Sequence, residues 1–274
     1  MADPRRISLQ LRVGAVLVGF FVLLAVFGPL LSPYDPTEQD LLATLDAPSA
    51  AHWFGADQVG RDILSRIVVG TRTTIAIAVS AVATSVAAGM ALGGIAGRAG
   101  GVCDRVITGF VDLLLTIPGL VLAVAIASAV GASATGLTIA ITVSFVPPVA
   151  RLVRGRVMEL HEQDFISAAD ALGMSPARVM LRHILPNAVS VIVIEASLLA
   201  GQAVLVGSTL GFLGLGVQPP APEWGAMLAS AHESLEVAPH LMWAPGLAIS
   251  LLVLSFNLLG DGLRDYFDPN TTHA

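Results

Sequence analysis

Two short stretches begin like the zinc-hydrolase motif HExxH: "HEQDF" from His161 to Phe165, and "HESLE" from His232 to Glu236. That motif needs two histidines four residues apart, so that both imidazoles reach one metal from one helical face. Here the closing positions are Phe165 and Glu236, so neither stretch can build the site. No GxSxG nucleophile elbow is present. A single cysteine, Cys103, excludes an internal disulfide and a Cys-cluster metal site. "GFLGLG" places Gly211, Gly214 and Gly216 at the wrong spacing for GxGxxG, and no strand pattern precedes it. A tight turn at a helix end is expected there. A Walker A loop needs a lysine on the phosphates, and all 14 basic residues are arginine. The chain is therefore expected to be non-catalytic, to bind no cofactor or metal, and not to hydrolyse ATP itself.

The remaining polar candidates are two acids inside apolar runs, Asp112 and Glu195. Ionisable groups in a membrane are costly and are functional suspects by default. One reading is structural pairing with an arginine near the cytoplasmic boundary, such as Arg151 or Arg105. The other places Glu195 beside a translocation path, where it would favour a cationic group.

The elements that must carry these residues are membrane spans. Of the 274 residues, 55% are hydrophobic and only 12% charged, against about 25% charged in a soluble domain. Mean hydropathy is +0.80. A spanning helix needs about 20 mostly apolar residues. Six segments qualify: Val13–Leu31, Thr74–Gly97, Val106–Val130, Leu137–Ala150 with its flanks, Ala188–Leu210 and Leu241–Gly260. The fourth has Pro147 and Pro148 near its expected end. The fold class is thus an all-α membrane protein with six transmembrane helices. The first span follows Arg5, Arg6 and Arg12 and ends in "GPLLSPYDP" without a small-x-small cleavage site, so it reads as an uncleaved anchor.

Arginine placement orients the chain. With the N-terminus inside, the inner segments hold Arg5, Arg6, Arg12, Arg98, Arg105, Arg151, Arg154, Arg156, Arg178, Arg182 and Arg264. Only Arg61, Arg66 and Arg72 lie outside, among carboxylates such as Asp35, Asp57, Asp62, Glu223 and Glu236. Both termini are predicted to be cytoplasmic. The organisation expected is 1–73 (tail, first span, outer segment), 74–260 (a five-span core with an inner loop at 151–187 and an outer loop at 211–240) and 261–274 (inner tail). "GMALGGIAG" sets Gly89, Gly93 and Gly97 four apart, which lets helices pack closely. The sequence leaves open whether that packing is internal or between subunits.

The inner loop contains "DFISAADALGMSPARVMLRHILPN". Asp164 suits an N-cap, and Gly173 suits the left-handed position that ends the helix. Ser175 and Pro176 suit the N-cap and first position of a second short helix, which Pro186 and Asn187 would end. Phe165, Ile166, Ala169 and Leu172 are expected on one face of the first helix. Ala168 and Ala169 would admit a partner closely. The segment is either an amphipathic turn resting on the membrane or a helix for a partner's groove.

"AADALGMSPARVMLRHILPN" resembles the cytoplasmic EAA loop of ABC importer permeases. Ala168, Ala169, Gly173 and Pro186 match its pattern, and Ile184 and Leu185 supply its branched apolar part. Ser167 stands where the pattern has glutamate. "HWFGADQVGRDILSRIVVGTRTT", "FVDLLLTIPGLVLA" and "LGFLGLGVQPPAPEWGAML" resemble the C-type membrane subunit of the dipeptide/oligopeptide/nickel importers, and the similarity covers nearly the whole chain. The resemblance implies a permease in a bacterial inner (plasma) membrane. Implied partners are the lipid bilayer, a homologous B-type permease, two ATP-binding subunits carrying ATP and Mg, and an extracytoplasmic substrate-binding protein. Nucleic acid is not expected. The implied ATPase-coupling loop comprises Asp164, Phe165, Ile166, Ala168, Ala169, Leu172, Gly173, Ser175, Pro176, Ile184, Leu185 and Pro186. The implied binding-protein contact is Gln218, Pro219, Pro220, Glu223 and Trp224, with Trp224 as an interfacial aromatic. The alternative from another class is a secondary transporter or channel subunit with no ATPase partner, which would show half-broken helices in two related halves.

Overall fold

The computed structural model describes residues 8–267. Arg5, Arg6 and the last seven residues of the expected inner tail lie outside them. The described residues form α1 (Leu9–Leu31), α2 (Ile63–Ala99), α3 (Gly101–Leu115), α4 (Gly119–Val130), α5 (Ala134–His161), α6 (Asp164–Ala171), α7 (Pro176–Val179), α8 (Leu185–Phe212), α9 (Trp224–Glu233) and α10 (His240–Phe267). Among the described residues five continuous helices are long and apolar enough to cross a membrane, and the bent pair α3–α4 makes a sixth where it is counted as one span.

That bent pair corrects the third expected span. Val106–Val130 is not one helix: α3 and α4 meet at 91°. Pro118 causes the break. It has no N–H to continue the ladder, and it pushes the residue before it away from helical geometry. Thr116 closes α3 by donating its N–H to the Asp112 and Leu113 carbonyls.

Other boundaries move as well. α2 begins at Ile63, so the expected division at residue 73 falls inside a helix that also carries Arg66 and Arg72. Asp62 starts it by accepting from the Ser65 N–H at 2.8 Å. α5 runs on to His161, which puts Pro147 and Pro148 inside it and makes the first part of the expected inner loop helical. The second short helix does not end at Pro186 either. α7 passes through a π-helical turn, Met180–Ile184, directly into α8. Proline at 186 removes one N–H and would crowd the carbonyl of Arg182. The wider turn just before it, with the Leu185 N–H reaching Met180 O, accommodates both.

The glycine stripe packs internally. A Cβ at Gly89 would come within 2.5 Å of Val149 Cγ1, and one at Gly97 within 2.9 Å of Val157 Cβ. A Cβ at Gly93 would strike the backbone carbonyl of Ala150. α2 and α5 therefore touch backbone to backbone over about two turns, with Ala81, Ala140, Ile141, Val149 and Val153 filling the core around the crossing.

Candidate functional site

α6 forms because Gln163 O accepts the first free amides, those of Ile166 and Ser167. Asp164 is the first helical residue, not the cap before it. The helix ends where Gly173 takes φ +78° and the Met174 N–H returns to Ala169 O at 3.2 Å. This is the six-to-one closure that a left-handed glycine permits. Ser175 precedes Pro176 in extended geometry, but its hydroxyl caps nothing.

The expected single apolar face is split. Ile166 and Ala169 are buried in the same core as Val157, Leu160, Val179 and Ile184. Phe165 and Leu172 point outward, 45% and 84% exposed, with Ala168 exposed between them. Residues 165, 168 and 172 stand at i, i+3 and i+7, so they form one ridge. The correction is geometric: adjacent residues on a helix lie about 100° apart, so Phe165 and Ile166 cannot face the same way. Burying Ile166 contributes about 1.5–3 kcal/mol and fastens α6 to the end of α5 and to α7. Leu185 is half-buried and Pro186 exposed. The continuous helix from Pro176 to Phe212 has 37 residues, about 55 Å at 1.5 Å each.

Two ion pairs hold α3 against α5. Arg154 donates from Nε and Nη2 to both oxygens of Asp104, at 2.6 and 2.7 Å. Arg151 Nη2 donates to Asp112 at 2.5 Å. Both pairs edge a cavity between α2, α3 and α5 of about 310 Å³. Sequence reasoning named Asp112 but missed Asp104. The signal was its place in the first turn of α3, where a carboxylate suits the helix dipole. Glu195 is half-buried on α8, and no hydrogen bond or ion pair reaches its carboxylate among the described residues. It does not meet Asp112's cluster.

The segment between α8 and α9 holds the larger surprise. Gln218, Pro219 and Pro220 are exposed, but Glu223 and Trp224 are not. The Trp224 indole donates to Ile67 O at 3.1 Å and meets Phe21 edge-on at 6.1 Å. Gly70 leaves it room: a Cβ there would lie 3.2 Å from the Trp224 ring. Trp224 is thus a core residue in place of the expected interfacial one. Glu223 caps α9, accepting from the Gly225 and Ala226 N–H groups at 2.8 Å each. Burial raises its pKa above the ordinary value, and these two amides oppose the shift. Neither side chain can be a surface contact, because each has its polar atoms committed inside the fold.

The segment between α1 and α2 is ordered by charge. Asp57 accepts from Arg61 Nε at 2.7 Å and lies 3.7 Å from Arg66 Nε. Arg66 Nη1 also donates to Pro36 O and Pro220 O, tying this segment to the 211–223 loop. Gln58 reaches Ser230 O at 2.7 Å. Gly214, at φ +76°, ends α8 with the Leu215 N–H on Leu210 O, so "GFLGLG" is a helix terminus.

Comparison with known proteins agrees with this architecture. The family described as binding-protein-dependent transport system inner membrane component matches residues 89–273. The N-terminal TM domain of oligopeptide transport permease C matches residues 12–48. The dipeptide transport system permease protein DppC of Alkalihalophilus pseudofirmus is 44% identical over 257 residues, covering 94% of this chain and 84% of the relative. The glutathione transport system permease protein GsiD of Pectobacterium atrosepticum is 43% identical over 260 residues, covering 93% and 86%. A chain of the inward-facing MetNI methionine ABC transporter superposes with a TM-score of 0.60 at 20% identity, over 74% of this chain and 96% of that one, which shows a shared fold. The spans and the matches along most of the chain place this protein in the binding-protein-dependent transport system inner membrane component family, as a multi-pass permease of the oligopeptide permease C type.

Proposed function

We propose that this chain is one of two membrane subunits of an ATP-driven importer of dipeptides or oligopeptides. Relatives named for dipeptide and glutathione transport support a short peptide as cargo. A homologous permease would complete the path, two ATP-binding subunits would carry ATP and Mg, and a substrate-binding protein would deliver cargo outside. The arginine bias supports cytoplasmic termini and a cytoplasmic α6.

The observation that carries the reading is the ridge of Phe165, Ala168 and Leu172, exposed on a helix whose other face is buried. An amphipathic helix laid into a groove is a known recognition mode. Closure of the ATPases on ATP would move α6. Because Ile166 and Ala169 fix α6 to α5 and to α7, which runs on through the π-helical turn into α8, both long helices would move with it as rigid bodies. ATP can bias the permease only if its two states hold the ATPases differently. On the outer face, Gln218, Pro219 and Pro220 remain the candidate contact for the binding protein.

The test is co-expression with the second permease and the ATPases, then reconstitution in proteoliposomes. Leu172→Cys should cross-link to an engineered cysteine in the ATPase groove, and uptake of a dipeptide should require ATP and the binding protein. Uptake driven by an ion gradient with no ATPase present would overturn the reading.

A further inference from the structure

The outer ends of α2 and α8 meet the N-terminus of α9 around a cavity of about 10 Å³. Its wall is apolar, with Ile77, Leu137 and Val204, except for three groups: Thr74, Ser208 and Glu223. All three are more than nine-tenths buried. Hydroxyls on the helices of this protein ordinarily donate to the carbonyl one turn back: Thr71 to Ile67, Ser144 to Ala140, Thr209 to Leu205 and Ser255 to Leu251. Thr74 Oγ1 and Ser208 Oγ do not, and they have no protein partner. Buried polar atoms are nearly always satisfied, and one left over points to water or an ion.

The geometry points to a binding site for a single structural water that joins Thr74, Ser208 and Glu223. The hydrogen-bond count closes. The water accepts from two hydroxyls that have no other acceptor, and it donates to carboxyl oxygens that each hold only one backbone amide. A buried water needs about 10–15 Å³ and two to four polar partners, and this cavity supplies both. Gly211 keeps the arrangement open, because a Cβ there would strike the Glu223 carboxyl. Three elements far apart in sequence are thereby pinned at the outer end of the permease. The site is independent of which solute the permease carries.

The test uses the assembled transporter. Thr74→Val keeps the side-chain shape and Ser208→Ala leaves the helix intact. With a bridging water, each variant lowers Tm by roughly 2–4 °C, and the double variant falls short of the sum, although the two hydroxyls do not touch each other. A high-resolution map would show density within hydrogen-bond distance of all three groups. Without the water, each variant removes an unsatisfied buried hydroxyl, so Tm stays level or rises and the effects add, which overturns the site. A Tm that falls when sodium is exchanged for a bulky organic cation would assign the density to a metal ion and overturn the water as well.

Discussion

Replacing Gly173 by valine isolates one link between α6 and the spans. Gly173 has φ +78°, and an added Cβ would have nothing within 4 Å. The cost is therefore conformational, with no clash to relieve. The left-handed region costs an L-residue about 1–2 kcal/mol, and a β-branched one is a genuine outlier there. One or two kcal/mol is a factor of about 5–30 in a local equilibrium. The turn holding Met174 N–H on Ala169 O should open in that proportion, while Ile166 keeps α6 attached to its core. The assay is dipeptide uptake and ATP hydrolysis by the reconstituted complex, with hydrogen exchange at Met174. Gly173→Val should assemble with its ATPases but hydrolyse ATP with uptake reduced several-fold. Gly173→Asn, which visits the same region, should retain most uptake. Wild-type uptake and exchange protection in Gly173→Val would refute the reasoning.

Leu172→Asp should abolish ATPase association and leave the membrane chain folded, whereas Ile166→Asp, which buries a charge, should prevent stable expression. Co-purification and a thermal melt separate the two. Trp224→Ala should cost about 3–5 kcal/mol, but Trp224→Phe much less, since Thr71 also donates to Ile67 O. Tm of the purified complex reads this. Because burial raises the Glu223 pKa, the folded state binds its proton more tightly than the unfolded state. That interaction favours folding as pH falls toward 4.5, and stability is lost as pH rises through the raised folded value. The protection of α9 amides, after correction for the base-catalysed intrinsic exchange rate, should therefore rise on acidification from neutrality, and a pH-independent protection would contradict it. Glu195→Gln should slow uptake of a cationic peptide relative to a neutral one, and unchanged kinetics for both would remove Glu195 from the path.

Much of this architecture is local and was legible before any tertiary information. Twenty-residue apolar runs have few alternatives to helices in a bilayer, because every backbone amide must be paired within the segment. Gly173 and Gly214 announced helix ends because positive φ excludes most other side chains. What the sequence could not decide was which neighbour each face meets. Phe165 and Ile166 are both apolar, and only the packing of α6 on α5 and α7 made Ile166 a core residue and left Phe165 exposed. Gly93 is small in any context, and only the crossing of α2 and α5 showed what needed the space. Trp224 and Glu223 follow a proline-rich stretch, yet Gly70 on α2 and Gly211 on α8 opened the interior to them. Composition and local propensity set where helices begin and end. Burial depends on contacts between residues more than a hundred positions apart, such as Trp224 with Ile67, and those exist only once the helices have packed.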